Sequence, residues 1–173
     1  MAEYDCPRGE FDHNFFLADT RKAMSEFSVV EETSIGSRLV LTSYDAMVSH
    51  VYAHEGKHPL FVLTLLEFSF DLHETINHKV YRIEDAENED IRSLFEPSIE
   101  FINKGLSVPN ATVIVHCYAG ISRSSSIILA YLMSEKKMSL VNAHTHLKSK
   151  RRIIEPNNGF WSMLEDYESE LQD

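Results

Sequence analysis

The residues best suited to chemistry lie in one short segment, 115–124, which reads Val-His-Cys-Tyr-Ala-Gly-Ile-Ser-Arg-Ser. The β-branched run at 112–115 predicts a buried strand that leads into this segment. An apolar run at 124–137 predicts a buried helix directly after it. In open α/β sheets, ligands bind where a strand turns into the following helix. The segment is therefore the first candidate for a functional site.

Cys117 and Arg123 are separated by five residues, and a tight turn of that length can direct its backbone N–H groups inward. Such N–H groups at the positive end of a helix form an anion site sized for phosphate. Gly120 supplies the backbone freedom that the turn requires. A thiol held there is stabilised as the thiolate, which can attack phosphorus and form a phosphocysteine. The guanidinium of Arg123 matches the phosphoryl oxygens with paired donors.

The neighbours of these two residues have supporting roles in this interpretation. Ser124 can donate a hydrogen bond to the sulfur, which makes the thiolate a better leaving group in a second step. We expect His116 to order the loop from behind and to assist thiolate formation. We expect the phosphoryl group to be bound by the loop residues Tyr118, Ala119, Gly120, Ile121 and Ser122, together with Arg123. The alternative is a structural strand, turn and helix in which the cysteine and arginine meet by chance.

The pattern His-Cys-x-x-Gly-x-x-Arg-Ser at 116–124 resembles the signature of the cysteine-based protein phosphatases. Its variant here looks like that of the dual-specificity subfamily, in particular its small atypical members. The resemblance extends from about residue 35 to 171, and the segments 130–133 and 155–160 are also similar to the subfamily. It implies hydrolysis of phosphotyrosine and phosphoserine/threonine in proteins, with no metal and no other cofactor.

The resemblance also implies a general acid on an upstream loop, because the leaving phenol or alcohol must be protonated as it departs. The acidic stretch 83–91 is similar to that loop, and Asp85 matches the family position. Glu84, Glu87 and Glu89 are close competitors, for which the alternative is a solvated acidic loop.

Arg152 is a further candidate, at the end of the basic run 148–152. In some relatives an arginine just before the Pro-Asn segment helps to hold a second phosphate, and Arg152 matches that place by spacing. The alternative is a solvated helix end, where positive side chains are favoured by the helix dipole.

The remaining pattern predicts the elements that must position these residues. Strands are predicted at 38–42, 59–66, 79–83 and 112–115. Helices are predicted at 10–27, 45–54, 91–102 (interrupted at Pro97), 124–137, 139–147 and 160–171. This order predicts an α/β three-layer sandwich, with a central, mostly parallel sheet flanked by helices as in the protein phosphatases. We expect residues 1–34 to be a helical extension packed on a single catalytic domain, 35–173.

Composition narrows the possible partners and compartment. The net charge is −11, from 27 acidic and 16 basic residues, which disfavours nucleic acid and anionic membranes. Two cysteines, Cys6 and Cys117, argue against a disulfide framework. The start of the chain lacks the pattern of a signal peptide. We therefore expect a protein of the cytoplasm, and also of the nucleus. We expect a monomer, and the resemblance implies that its partners are phosphorylated proteins.

Histidines at 50, 54 and 58 could mimic a metal-binding helix face, but Gly56 and Pro59 interrupt that helix. We therefore predict no metal site. Three alternative functions stay open: a lipid, RNA or glucan phosphatase of the same family, a phosphoprotein-binding scaffold with little turnover, and a rhodanese-like sulfurtransferase. The uncharged loop positions argue against lipid phosphates, because lipid-directed members usually carry lysine there.

Overall fold

The computed structural model describes residues 21–54 and 56–172. Its strands are β1 Ser28–Glu32, β2 Arg38–Ser43, β3 Leu60–Leu66, β4 Asn77–Arg82 and β5 Thr112–Cys117. Its helices are α1 Tyr44–Ala53, α2 Phe95–Leu106, α3 Arg123–Lys136, α4 Leu140–Lys150 and α5 Asn158–Glu170, with a 3-10 turn at Arg92–Leu94.

The five strands form one sheet in the order β1-β2-β5-β3-β4. β2, β5, β3 and β4 are parallel, and β1 pairs with β2 in the antiparallel direction at the edge. β3 and β5 lie in the middle and are buried along their whole length, which explains their nearly continuous apolar sequences. The predicted mostly parallel sheet is confirmed. Cys117 is the last residue of β5, one of the two strands in the middle of the sheet.

Helices cover both faces of the sheet, as predicted. The larger core lies between the sheet and the layer of α2, α3, α4 and α5. A smaller core, built around Met47, lies under α1 on the other face. α3 contacts α2, α4 and α5, and its residues from Arg123 to Met133 are buried. A helix surrounded in this way has to be apolar on most sides, as the sequence of α3 is.

The structure differs from the sequence prediction at the start of the described chain. Ser28–Glu32 forms the edge strand β1, whereas the sequence analysis places these residues in a helical extension. β1 is short and pairs only with β2, through a register shift between Val29 and Glu31. Its sequence, Ser-Val-Val-Glu-Glu, does not alternate between apolar and polar residues. The predicted helix at 10–27 lies mostly outside the described residues, of which 21–24 are helical.

The predicted interruption at Pro97 also takes a different form. α2 begins at Phe95, so Pro97 lies in its first turn, where a backbone N–H has no intrahelical acceptor. The missing N–H of proline therefore costs the helix no hydrogen bond.

None of the described helices combines the length and the apolar composition that a bilayer crossing requires. Within residues 21–54 and 56–172, no group of three His, Cys, Asp or Glu side chains could hold a metal ion. The His50 ring stacks on Phe27 instead, with their centroids 4.2 Å apart.

Candidate active site

Cys117 lies at the point where β5 ends and the loop to α3 begins. Its side chain is buried, with 1% of the residue exposed. Ser124, in the first turn of α3, donates a hydrogen bond from its hydroxyl to the Cys117 sulfur over 3.1 Å. A hydroxyl donor at this distance stabilises negative charge on the sulfur. The strand and the helix therefore bring together the two groups that the sequence paired.

The loop carbonyls are held by donors that lie outside the loop. The four bonds run from Tyr44 N–H to Tyr118 O (3.0 Å), from the Arg151 guanidinium to Ala119 O (2.9 Å) and Gly120 O (2.8 Å), and from Glu155 N–H to Ile121 O (2.9 Å). No cis peptide bond occurs in the described chain, and a trans peptide directs its C=O and its N–H to opposite sides. The N–H groups of residues 119–122 therefore face the inside of the loop, as an anion site requires.

Gly120 is required at its position for two reasons. Its φ is +68°, a conformation that side chains disfavour. A Cβ at this position would lie 2.5 Å from the Thr42 carbonyl oxygen and 2.8 Å from a guanidinium nitrogen of Arg151. Any larger residue would push the loop away from the Thr42 carbonyl and from the Arg151 guanidinium.

Arg123 is the first residue of α3, and its side chain is almost completely buried. Nη1 donates to a carboxylate oxygen of Glu67 over 2.7 Å and to the Ile83 carbonyl over 3.1 Å. Nε is buried and has no hydrogen-bond partner among the described residues. A buried donor without a partner is available to an anion in the loop.

Asp85 lies beside the loop, after the end of β4. Its Oδ1 accepts from the Ser122 hydroxyl over 2.6 Å and from the Asn157 side-chain amide over 2.9 Å. Its Oδ2 lies 3.8 Å from Arg123 Nε, and 37% of the side chain is exposed. Of the competing carboxylates, Glu87 accepts a hydrogen bond from Asn158 instead. Asp85 is thus a carboxylate of the acidic stretch that contacts both Ser122 and Arg123 of the signature loop.

His116 is completely buried behind Cys117. Its Nδ1 lies 3.3 Å from the Cys117 carbonyl oxygen, and its Nε2 lies 2.7 Å from the Thr64 hydroxyl. Burial lowers the pKa of His116 to about 4. The imidazole is therefore neutral at neutral pH, and it contributes hydrogen bonds to the site without contributing a positive charge.

The comparisons with known proteins agree with this geometry. The family model described as the catalytic domain of dual specificity phosphatases matches residues 57–170, which is most of the chain. The chain belongs to the dual specificity phosphatase family. It is 33% identical to bovine dual specificity protein phosphatase 18 over 144 residues, which are 83% of this chain and 76% of that protein.

The human relatives match over a shorter segment. Identity to human dual specificity protein phosphatase 21 is 42% over 98 residues, 57% of this chain and 51% of that protein. Identity to human dual specificity protein phosphatase 18 is 40% over 100 residues, 58% of this chain and 53% of that protein. The matched segment thus spans about half the length of these two relatives.

Solved structures share the fold. Human DUSP28 superimposes with a TM-score of 0.71 at 26% identity, covering 86% of this chain and 97% of that one. The human tyrosine phosphatase-like serine/threonine/tyrosine-interacting protein gives a TM-score of 0.67 at 26% identity, covering 78% of this chain and 93% of that one. The second of these proteins is named as a phosphatase-like interacting protein, so the fold alone does not determine turnover.

Sequence analysis missed Arg151, which contributes two of the four bonds to the loop carbonyls of this dual specificity phosphatase family member. Arg151 directly follows α4 and is completely buried. Besides the loop, its guanidinium donates to the carbonyls of Ala23 (3.0 Å) and Glu26 (3.1 Å). Burial lowers the pKa of Arg151, and the nearby Cys117 acts in the opposite direction.

A signal for Arg151 was present in the sequence. Leu140, Ala143 and Leu147 are the buried residues of α4, and Arg151 continues their spacing by one further turn. Arg152, the residue selected from the sequence, falls off this face and is exposed. Its contact with a second phosphate stays a prediction.

Replacing Arg151 tests how much the loop depends on this guanidinium. Arg151→Lys leaves several buried carbonyls without donors, so we expect the free energy of unfolding to fall by about 2–4 kcal/mol. Arg152→Lys, its exposed neighbour, is the matched control and should change it by less than about 0.5 kcal/mol. Urea denaturation measures both. Equal, small losses would mean that the Arg151 bonds do not stabilise the fold.

Proposed function

We propose that this protein hydrolyses phosphate monoesters on phosphorylated proteins through a phosphocysteine at Cys117. One observation carries the proposal. Four consecutive loop carbonyls are held outside the loop, which directs four N–H groups inward beside a buried thiol that accepts a hydrogen bond from Ser124. A ring of N–H donors fits an anion with several oxygens, and a thiolate beside it is the required nucleophile.

In the first step, the Cys117 thiolate attacks phosphorus, and the bond from phosphorus to the substrate oxygen breaks. Arg123 binds the transferring oxygens, for which its buried Nε is available because it has no hydrogen-bond partner among the described residues. Asp85 gives its proton to the departing oxygen. Ser122 and Asn157 both donate to Oδ1 of Asp85, so the acidic proton belongs on Oδ2, which lies 3.8 Å from Nε of Arg123.

In the second step, water attacks the phosphocysteine and the bond from sulfur to phosphorus breaks. The Asp85 carboxylate takes a proton from that water, and the sulfur leaves as the thiolate. The Ser124 hydroxyl, 3.1 Å from the sulfur, stabilises the charge that returns there. The residues Tyr118, Ala119, Gly120, Ile121 and Ser122 surround the phosphoryl group, and His116 orders the backbone behind it.

The exposure of side chains around the loop supports action on both phosphotyrosine and phosphoserine/threonine. Asp85 is partly exposed, and Tyr118 is 62% exposed beside the loop, where it is accessible to the polypeptide around a phosphorylated side chain. Arg152 is proposed to contact a second phosphate. We propose that the protein is a monomer that acts in signalling in the cytoplasm and the nucleus. We propose that its activity requires no metal or other cofactor.

A phosphoprotein-binding scaffold is the second candidate, favoured by the likeness to the human phosphatase-like interacting protein. The presence of Cys117, Asp85 and Arg123 in one site favours turnover instead. A lipid, RNA or glucan phosphate is the alternative substrate. A lipid phosphate fits less well, because lipid-directed members of the family usually carry lysine in the loop, and the positions between Cys117 and Arg123 are uncharged. Turnover of a phenyl phosphate reporter separates the scaffold from the enzyme directly.

Cys117→Ser separates binding from chemistry. We expect the variant to lose turnover of phenyl phosphate and phosphotyrosine peptides, because a serine hydroxyl at this place is a far weaker nucleophile than a thiolate. Binding of inorganic phosphate should persist, since the inward N–H groups and Arg123 are unchanged. Steady-state kinetics and calorimetric titration measure the two properties. Turnover that survives in Cys117→Ser would rule out the covalent mechanism.

Asp85→Asn tests the general acid. A serine alkoxide must be protonated as it departs, so hydrolysis of phosphoserine peptides should slow by roughly 100- to 10,000-fold. Activated aryl phosphates should be affected far less, because their phenolates leave largely unaided. The basic limb of the pH–rate profile should flatten in this variant.

Glu87→Gln is the matched control for Asp85→Asn, since Glu87 lies on the same loop but bonds to Asn158. It should keep the basic limb and the rate on phosphoserine peptides. The assignment of the acid is wrong if Glu87→Gln flattens the basic limb while Asp85→Asn preserves it. The phosphocysteine mechanism would survive that result.

A further inference from the structure

A polar side chain, Thr64, lies in the middle of the otherwise apolar strand β3 and is completely buried. Its hydroxyl lies between two imidazoles, 2.7 Å from Nε2 of His116 and 2.9 Å from Nε2 of His78. Buried hydroxyl groups are almost always hydrogen-bonded. A continuous line of contacts thus runs from His78 on β4, through Thr64, to His116 beside Cys117.

The chemistry of the partners fixes the direction of every hydrogen bond in this line. The Cys117 carbonyl can only accept, so Nδ1 of His116 must carry the hydrogen that faces it. With its pKa near 4, His116 carries a single ring proton at neutral pH, and its Nε2 is therefore an acceptor. The single hydroxyl hydrogen of Thr64 then points to His116, and the Thr64 oxygen accepts from Nε2–H of His78.

We propose that Thr64 and His78 are positioning residues that hold His116 in its Nδ1–H tautomer and thereby keep the Cys117 carbonyl outside the anion loop. With the Cys117 carbonyl on the His116 side, the peptide directs the Tyr118 N–H to the opposite side, into the loop. The line thus adds a fifth inward N–H group, on the residue next to the nucleophile. The role of the loop as a phosphate-binding site rests on the function proposed above.

The surroundings of the line favour a fixed geometry. The Phe70 ring lies 5.2 Å from the His78 ring and 6.4 Å from the His116 ring, between centroids. The Tyr44 ring lies 6.1 Å from the His116 ring. Thr64 and His116 are completely buried beside these rings, and hydrogen bonds are stronger in such low-dielectric surroundings.

The wild-type chain gives the first test, because it needs no variant to fold. The full chain is labelled with nitrogen-15 histidine and studied by NMR. Correlations between the ring nitrogens and the protons on the ring carbons report which nitrogen is protonated. His116 is assigned as the signal lost in His116→Gln. At neutral pH we expect a neutral ring with the proton on Nδ1. A proton on Nε2 in the wild type would overturn the proposal.

Two matched pairs of variants test the role of each partner. Thr64→Val removes the hydroxyl at nearly constant size, and Thr64→Ser keeps it. His78→Leu removes the ring donor, and His78→Gln keeps an amide donor in its place. We expect the His116 signals to stay in the Nδ1–H pattern in the Ser and Gln variants, and to shift towards Nε2–H in the Val and Leu variants.

Alkylation of Cys117 by iodoacetamide provides a second readout, followed on the peptide that contains this cysteine. The thiolate is the nucleophile in this reaction, so the rate reports how well the site stabilises negative charge on the sulfur. Loss of one hydrogen bond to the site should slow alkylation roughly three- to tenfold in Thr64→Val and His78→Leu. The Ser and Gln variants should stay within about twofold of the wild type, by the same reasoning.

Equal alkylation rates within each pair would contradict the positioning role. Neither readout requires turnover, so the two proposals fail separately. A chain with the expected tautomer and no phosphatase activity would refute the proposed function alone. A chain that is active but carries the Nε2–H tautomer would refute the positioning role alone.

Discussion

The hydrogen bonds from the Arg151 guanidinium to the Ala119 and Gly120 carbonyls are the interaction on which the site depends. Without donors behind the loop, a carbonyl oxygen could turn towards the sulfur and repel both a thiolate and a phosphate. The protein has a net charge of −11, so an anion gains no general attraction to its surface. The attraction has to be local, and here it comes from oriented N–H groups and Arg123.

The same guanidinium ties distant parts of the chain together. It joins the start of the described chain, at Ala23 and Glu26, to the end of α4 and to the loop after β5. A buried charge of this kind is tolerated because its donors are satisfied by carbonyl oxygens. The arrangement also explains Gly120, since a Cβ there would occupy the space of the guanidinium. The shape of the site and the stability of the fold therefore share one set of contacts.

Local pattern was sufficient to predict the strands that flank the site, the helix after it and the loop between Cys117 and Arg123, because each is encoded in consecutive residues. The acidic stretch alone did not distinguish Asp85 from its neighbouring glutamates, and only the match to the family position selected it. Contacts between distant residues could not be predicted in this way. Thr64 and His116 are 52 positions apart, and only the pairing of β3 with β5 brings them together. β1 was missed because an edge strand with one partner carries little pattern of its own.

The most direct test of the central claim is to identify the atom that carries the phosphoryl group during turnover. An active chain mixed with an activated aryl phosphate is quenched in acid within one turnover, digested and analysed by mass spectrometry. The account predicts a peptide containing Cys117 with the added mass of one phosphoryl group, and no such peptide from Cys117→Ser. Turnover with no covalent adduct, or with the phosphoryl group on another side chain, would contradict it.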